Sequence, residues 1–327
     1  MKIRKPFKKL TLSLALVFLG FPPLASYAAT PSQDFDAQAK IDFQSISDYI
    51  NGQFARTMGF YSTLGWNNPP GVYDLMAGPR VEVGVGAGAD LVSLSSLAGL
   101  PMGALLVSSN ISVPSVFPIP YPIGTLRVGL MNGLDAGLRL SIIPNINLPD
   151  FGFAANVTGW GLDLRFKILD GSYLPTLTGV VSWDVMNGGF SISSKVQQTS
   201  NYNDPNAGSV PVTMTGTDAY AQNWNVKSFG AKIMVGKDLG MIFPFGAVGF
   251  QRHSGTVSSA FSVSGTQDVN GSGAAAFSYL ITSSSSPVVF EPKFVVGFDM
   301  GEGFHWGVVG ESNGIDIAGS TSFRLEF

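Results

Sequence analysis

The sequence IDIAGSTSFRLEF, residues 315–327, alternates strictly between two kinds of side chain. Its odd-numbered positions are mainly apolar and finish with Phe323, Leu325 and Phe327, whereas its even-numbered positions are small, polar or charged. A period of two residues is typical of a β-strand with one apolar and one polar face. The stretch therefore predicts a strand, and the open question is which solvent its apolar face meets.

Residues 1–28 have the composition of a secretory signal peptide. Five cationic residues lie within 2–9, an apolar stretch covers 10–21, and 26–28 provide the small residues of a cleavage site. Such a segment is removed before folding and is too short to span a membrane as a helix. We therefore expect an exported chain that begins near residue 29.

The composition narrows the class of protein further. Charged residues make up 13% of the chain and hydrophobic residues 45%, yet no stretch after the signal peptide approaches the roughly 18 consecutive apolar residues of a spanning helix. This combination is typical of a transmembrane β-barrel, in which lipid-facing and lumen-facing residues alternate. Acidic residues outnumber basic ones by 22 to 19, which argues against nucleic acid as a partner. The absence of cysteine excludes disulfides and thiol chemistry, and no cofactor is expected.

Downstream of the N-terminal segment the chain follows the period of a strand, and we assign 67–327 to an antiparallel transmembrane β-barrel. Short turns such as 132–133 and 301–303 alternate with long segments such as 186–223 and 253–287, which is the pattern of periplasmic turns and extracellular loops. This pattern gives ten strands. The two longest segments also alternate, so they either extend strands beyond the membrane or form further hairpins, and the predicted number is ten to fourteen.

Nearly all charges within these strands fall on one parity. Chance would divide them between the two faces of the sheet, so they are predicted to face the lumen. Opposite charges there would either pair to fill a polar interior or line a weakly selective aqueous path. The predicted lumen-facing residues are Arg80, Glu82, Arg127, Arg139, Asp163, Arg165, Lys167, Lys232, Glu291, Lys293, Asp299, His305 and Arg324.

Residues 29–66 are predicted to form an N-terminal helical segment. Apolar side chains recur every three or four residues, which places them on one face of a helix, and TPSQ (30–33) provides a capping box with a proline at the first helical position. Gly52 or Gly59 is expected to end the helix. The segment is either a plug inside the lumen or a periplasmic helix against the barrel mouth. Its apolar face contains Phe35, Phe43, Ile46, Ile50 and Phe54.

Two further segments have alternative interpretations. GVGAG (84–88) superficially matches a nucleotide-binding loop, but such a loop needs a strand-to-helix junction and these glycines lie inside a strand. They indicate either close approach by another backbone or an easing of strand curvature. SVPSVFPIPYPIG (112–124) belongs to the long loop 91–123. It is predicted to form a lid or entry site for a hydrophobic molecule, or to fold inward and narrow the mouth.

Catalysis and metal binding are not predicted. The chain has two histidines, with His253 near a loop and His305 on the inward parity, and no sequence motif holds a Ser-His-acid set. Two separate histidines do not make a metal site. We therefore expect a protein that is not an enzyme.

Aromatic residues near the predicted strand ends point outward. Phe290, Phe304, Trp306 and Phe327 suit the girdles that mark a membrane interface. The C-terminal stretch also resembles the assembly signal of outer-membrane barrels, an alternating strand that ends in an aromatic residue. This resemblance implies that Phe323, Leu325 and Phe327 are recognised by the barrel-assembly machinery.

Five short motifs follow one another along most of the chain after the signal peptide: FYSTLGW (60–66), VYDLMAG (72–78), FPIPYPIG (117–124), GLDAGLRLSIIP (133–144) and GWGLDLRF (159–166). Their order resembles an uncharacterised family of Gram-negative outer-membrane β-barrels, which is distantly similar to the long-chain fatty-acid transporter class. That class has an N-terminal plug inside a barrel. The chain lacks the Asn-Pro-Ala element expected near such a plug and has NNPP (67–70) instead, so the resemblance implies fold and location but no ligand.

These observations predict a porin-like barrel in the outer membrane of a Gram-negative bacterium, in contact with outer-membrane lipid. We expect passive passage or uptake of small solutes, hydrophobic ones included, by diffusion through a lumen gated by the N-terminal segment and the loop 91–123. The alternative is a closed structural or surface-interaction barrel that uses its long extracellular loops.

Overall fold

The structure is a computed structural model. It describes residues 33–65, 80–94, 116–131, 133–169, 174–204, 208–269, 271 and 273–327. The predicted signal peptide, its cleavage site, most of the capping box and the NNPP segment lie outside these residues.

The described residues form one long helix, eleven strands and a short 3-10 turn. The elements are α1 (Gln33–Ser62), β1 (Val81–Ser93), β2 (Val116–Met131), β3 (Leu134–Leu148), the 3-10 turn Pro149–Phe151, β4 (Phe153–Leu169), β5 (Thr176–Asp204), β6 (Gly208–Gly236), β7 (Ile242–Val269), β8 (Ala274–Ser285), β9 (Phe290–Met300), β10 (Phe304–Ser312) and β11 (Ile317–Glu326).

The strands close into one antiparallel barrel. Neighbours in sequence pair from β1 to β7, β9 pairs β7 and β10, and β11 pairs β10 and returns to β1. The closing pair joins the two ends of the barrel sequence, because the amide of Val81 donates to the carbonyl of Phe327 at 3.1 Å and the reverse bond measures 2.9 Å. The predicted antiparallel barrel with an N-terminal helix is therefore confirmed, with a strand number inside the predicted range.

Strands β8 and β9 both pair with β7 and occupy successive parts of one strand position in the barrel wall. The first half of β7, as far as Arg252, pairs β9, and its second half, from Val257, pairs β8. The segment 286–289 separates the two parts, and the amide of His253 donates to the carbonyl of Val289 across it at 2.9 Å. Around its circumference the barrel thus has ten strand positions. This is the number of strands that the turns in the sequence predict.

The two ends of the barrel differ. One end, the base, carries the start of β1, the end of β11 and the turns 237–241 and 301–303, where Gly301 has φ 118°. The other end, the crown, is formed by the hairpins β5–β6 and β7–β8, whose long strands extend well past their neighbours. The long alternating segments of the sequence therefore extend strands at the crown and do not add strand positions around the barrel.

A belt of large apolar side chains covers the outer surface next to the base. Trp160 packs edge-on against Trp183 at a centroid distance of 5.1 Å, and Phe250 stacks on Phe290 at 5.4 Å. The exposed members of this belt include Val85, Leu140, Trp160, Leu162, Leu164, Phe166, Trp183, Phe229, Ile233, Val235, Val248, Phe250, Phe290, Phe294, Val296, Phe304, Phe323 and Phe327. Toward the crown, the exposed outward positions 213, 215, 217, 223, 225 and 227 of β6 are polar.

The segment FPIPYPIG is part of the barrel wall, which corrects the expectation of a loop there. Its prolines Pro118, Pro120 and Pro122 lie in β2, opposite β1. Strand β2 pairs β3 only from Gly124 onward, so the side of β2 that lacks proline N–H groups needs no ladder partner here. Proline is tolerated in a strand under this condition.

Among the described residues, no helix is both long enough and apolar enough to cross a membrane.

Candidate functional site: helix α1 and the lumen

Helix α1 lies inside the barrel, where it contacts the inner faces of strands around the ring. It packs most closely on β8 and β7, and also touches β6, β5 and β1. The helix continues to Ser62 through both Gly52 and Gly59, so the expectation that one of these glycines ends it is wrong. Packing against the wall outweighs the low helix propensity of glycine, which is worth about 1 kcal/mol per residue.

Residues 43–54 of α1 rest on aromatic side chains of the inner wall. The ring of Phe43 lies 5.0 Å from that of Phe261 and 6.0 Å from that of Tyr279, and the ring of Phe54 lies 5.4 Å from that of Phe190. We call this inner surface the aromatic cradle: Phe190, Tyr220, Trp224, Val257, Phe261, Val263, Phe277, Tyr279 and Ile281. Of the predicted helix face, Phe43, Ile46, Ile50 and Phe54 pack against this cluster, and the side chain of Phe35 is outside the described part of the chain.

The C-terminal turn of α1 is held by two buried cations. The guanidinium of Arg139 donates to the carbonyls of Ser62 and Leu64, and the ammonium of Lys293 donates to the carbonyl of Thr63 at 3.3 Å. Carbonyls at a helix C-terminus lack partners within the helix and carry the negative end of its dipole, so cations stabilise them.

Two buried carboxylates complete this clamp. Asp184 accepts a hydrogen bond from Arg139 at 2.8 Å, and Glu311 forms an ion pair with the ammonium of Lys293 at 2.5 Å. Glu311 also accepts from the amide of Gly65 at 3.2 Å. We call Arg139, Asp184, Lys293 and Glu311 the C-terminal clamp. Sequence reasoning placed the two cations on the lumen side but did not connect them with the helix.

A line of hydrogen bonds joins the same helix turn to three strands. The hydroxyl oxygens of Ser62 and Ser228 lie 2.6 Å apart, the Ser228 oxygen lies 2.6 Å from Nδ1 of His253, and Nε2 of His253 lies 2.9 Å from Glu291. Asn313 donates to the second oxygen of Glu291 at 2.7 Å. His253 is thus a buried residue in the middle of β7, and the expectation that it lies near a loop is wrong.

Ser228, His253 and Glu291 form a Ser-His-acid arrangement that no sequence motif indicated. Its surroundings favour an anchoring role. The Ser228 hydroxyl already contacts Ser62 of α1, and the backbone of Ser228 is paired on both sides, with Asp184 and with His253. The backbone of Ser228 is thus committed to the sheet, and its hydroxyl to the helix, which fits a residue that anchors α1.

Three further contacts fix the body of α1. The hydroxyl oxygens of Ser47 and Ser259 lie 3.0 Å apart. Arg56 donates to Asp316, in the crown turn between β10 and β11, at 3.4 Å. The hydroxyl of Tyr61 donates to the carbonyl of Pro120 at 3.0 Å.

Below the helix, toward the base, the lumen contains a network of buried ion pairs. Glu82 bonds to Arg127 at 3.3 Å and to Arg324 at 3.0 Å, and Arg324 also bonds to Asp299. A second pair joins Arg165 to its strand neighbour Asp163. We call these six residues the ion-pair layer. Each is nearly fully buried, so the layer fills the lumen where it lies.

The remaining predicted lumen residues lie on the same parity as this layer. Arg80 pairs with Glu326 at 2.8 Å, and His305 bonds to Asp299 at 2.9 Å. Lys167 and Lys232 lie on inward positions of β4 and β6 and are partly buried. A cavity of about 260 Å³ opens at the base, and its lining includes Arg80, Glu82, Asp299, His305, Arg324 and Glu326.

The glycines of GVGAG make room for side chains and not for the helix backbone. A Cβ at Gly84 would lie 2.6 Å from Cγ of Arg324, and a Cβ at Gly88 would overlap the ring of Tyr121. These inward glycines therefore allow a long arginine and a tyrosine to cross the lumen face of β1.

Comparisons with known proteins give a distant likeness. No protein-family model matches the chain, and no curated protein does. The chain is similar to the translocator domain of the autotransporter NalP from Neisseria meningitidis, with a TM-score of 0.31, 11% identity and coverage of 86% of this chain and 99% of that one. It is also similar to a FadL homologue from Pseudomonas aeruginosa (0.23, 11%, 84% and 97%) and to the toluene transporter TbuX from Ralstonia pickettii (0.25, 8%, 76% and 90%). At these values nothing about this chain's solute follows from the likeness.

Proposed function

We propose that this protein is a barrel of the Gram-negative outer membrane that admits small solutes, hydrophobic ones included, when helix α1 is displaced. The observation that carries the proposal is the position of α1. It occupies the inside of the barrel at the crown and is held there by hydrogen bonds, ion pairs and apolar contacts, all of which are reversible.

The outer apolar belt supports the membrane location. On β6 the outward side chains are apolar from Phe229 to Val235, while the next outward residue toward the crown is the exposed Lys227. With about 3.3 Å per residue, this stretch of β6 is about 20 Å long, and a tilt of about 40° makes the belt there about 15 Å tall. The apolar band of outer-membrane barrels is about 25 Å tall. Barrel closure satisfies the backbone groups that hydrocarbon cannot.

The two layers of the lumen suggest which solutes enter and where they meet resistance. The aromatic cradle would offer an apolar surface to a small hydrophobic molecule once α1 moves, because apolar surface removed from water is stabilised by about 25 cal/mol per Å². The ion-pair layer beneath it is a polar barrier, since separating buried charges leaves them without partners. Polar solutes would pass this layer more readily than hydrocarbons.

The ion-pair layer also favours a second candidate function. If these buried pairs stay closed when α1 moves, the protein is a closed structural or surface-interaction barrel that presents its crown hairpins outside the cell. This alternative predicts that neither ions nor solutes cross the barrel in any position of the helix.

The experiment locks α1 in place without deleting it. The chain contains no cysteine, so Ser47→Cys with Ser259→Cys introduces the only thiols, at positions whose hydroxyl oxygens are 3.0 Å apart. The matched control is Thr199→Cys with Thr213→Cys, which joins β5 to β6 across a gap of 2.9 Å and leaves α1 free. Bilayer conductance and cellular uptake of a small radiolabelled aromatic hydrocarbon are measured before and after reduction.

We expect reduction to restore passage in the protein locked at 47 and 259 and to change nothing in the control. Equal passage in the oxidised and reduced forms would contradict the role of α1 as a gate. If neither protein conducts ions or takes up the hydrocarbon, whether oxidised or reduced, the closed barrel is favoured.

A further inference from the structure

We propose that the N-terminal half of α1, Gln33–Ser47, lies on the extracellular side of the membrane, so that the plug fills the barrel from outside. The proposal rests on the outer-membrane location proposed above. It adds the side of the membrane from which the helix can be reached and released.

The ends of the barrel identify the outer side. The base carries both ends of the barrel sequence and the short turns, whereas the crown carries the long hairpins β5–β6 and β7–β8. Outer-membrane barrels have short periplasmic turns and longer extracellular connections. The crown is therefore the extracellular end.

The C-terminal turn of α1 lies at the outer edge of the apolar belt. Ser62 contacts Ser228, and the belt on β6 begins at the next residue, Phe229, which is 46% exposed on the outer surface. The helix thus reaches the level of the membrane only with its last turn.

The rest of α1 rises from this level toward the crown alongside β7. Gly59 packs on His253, and Phe43 packs on Phe261. Between these two contacts the helix rises about 24 Å at about 1.5 Å per residue, and β7 advances about 26 Å at about 3.3 Å per residue. The agreement shows that the helix follows the strand, antiparallel to it, and that the residues before Phe43 lie further toward the tips of the hairpins.

Side chains in this part of α1 face solvent. Ile41 is 57% exposed, and Ala37 and Lys40 are exposed as well. Arg56 meets Asp316, in the crown turn between β10 and β11. An agent that binds these exposed side chains or competes for the Arg56 contact would reach them from the extracellular side.

Single-cysteine labelling of intact cells tests this inference, because the natural chain has no cysteine. Ile41→Cys reports on α1, and Ala37→Cys is a second reporter in case the first variant fails to assemble. Ile315→Cys marks the crown turn and Leu239→Cys marks a base turn, with the native side chains 68% and 67% exposed. The probe is a maleimide on a polyethylene glycol too large for porins, applied before and after the outer membrane is permeabilised.

We expect the variants at 41, 37 and 315 to label equally in intact cells, and the variant at 239 to stay unlabelled until permeabilisation. If 315 labels in intact cells but 41 and 37 label only after permeabilisation, or never, the inference is wrong and the barrel orientation stands. If 239 labels in intact cells and 315 does not, the orientation is wrong and the inference fails with it. If neither marker depends on permeabilisation, the outer-membrane location itself is contradicted.

Discussion

Gly59 of helix α1 lies directly against the imidazole ring of His253. A Cβ at this position would be 2.9 Å from both Cγ and Cδ2 of the ring, which is closer than carbon atoms approach without displacement. The glycine is thus what allows the helix to settle onto the Ser228–His253–Glu291 line, and the two residues together set how deep α1 sits.

The first prediction concerns this contact. Gly59→Ala should lift the last turn of α1 away from β7, because the added methyl group overlaps the buried ring, and overpacking of this kind typically costs about 1–3 kcal/mol. We expect lower thermal stability of the detergent-solubilised protein and, if α1 gates the lumen, more frequent channel openings in a bilayer.

A matched glycine in the same helix provides the control. A Cβ at Gly52 would have nothing within 4 Å, so Gly52→Ala should raise stability by about 0.5–1 kcal/mol through helix propensity alone. Equal effects of the two alanines would mean that the ring contact does not position the helix.

The second prediction concerns the C-terminal clamp. Arg139→Met should cost about 3–5 kcal/mol in the free energy of unfolding, because it removes the cation that pairs with the buried carboxylate of Asp184. Adding Asp184→Asn should restore most of that stability while the carbonyls of Ser62 and Leu64 still lack a cation. The double variant should therefore keep most of its stability, as measured by urea unfolding in lipid vesicles. Its helix α1 should be displaced more readily, as measured by a higher bilayer conductance.

A partly exposed pair at the base gives the comparison for the clamp. The side chains of Arg80 and Glu326 are 35% and 18% exposed, so Arg80→Gln should cost at most about 1 kcal/mol after solvent screening. A clamp variant that behaved like Arg80→Gln in both measurements would show that α1 is held by its apolar contacts alone.

The wall of the barrel was predictable from the sequence because its signal is local. The residues of each strand show by themselves which face is apolar, as the alternation around Arg324 does. The number of turns gives the number of strand positions around the barrel. The continuation of α1 past Gly59 was not predictable, because it depends on a ring that arrives from β7, nearly two hundred residues later in the chain. Local propensity favoured a stop, and tertiary packing overrode it.

The Ser228–His253–Glu291 line could not be predicted from the sequence for a similar reason. These residues lie on β6, β7 and β9, and only the register that puts Ser228 opposite His253 brings their side chains together. A one-residue slip would turn one of them to the outside. The parity of His253 in its strand was the available signal, because it shares the inward parity of Gln251 and Phe261.

The third prediction separates assembly from stability at the C-terminus. If Phe327 belongs to an assembly signal, Phe327→Ala should lower the amount of barrel inserted in cells while refolding of the purified protein in detergent remains unchanged. Phe304→Ala is the control, because Phe304 is an outward aromatic of the same base region and stacks on Phe323 at 6.0 Å. Equal losses for both variants in cells would assign Phe327 to the girdle only.

The fourth prediction tests whether the apolar belt faces lipid. Leu164 is 52% exposed at the middle of the belt on β4, and an arginine on the lipid face of a barrel near the midplane costs about 2–4 kcal/mol. Leu164→Arg should therefore lower the free energy of unfolding in lipid vesicles by that amount. Thr215→Arg places the same charge on an exposed outer position of β6 near the crown, where water solvates it, and should change stability little. If the two arginines cost the same, the belt does not meet hydrocarbon, and the chain is not a membrane barrel.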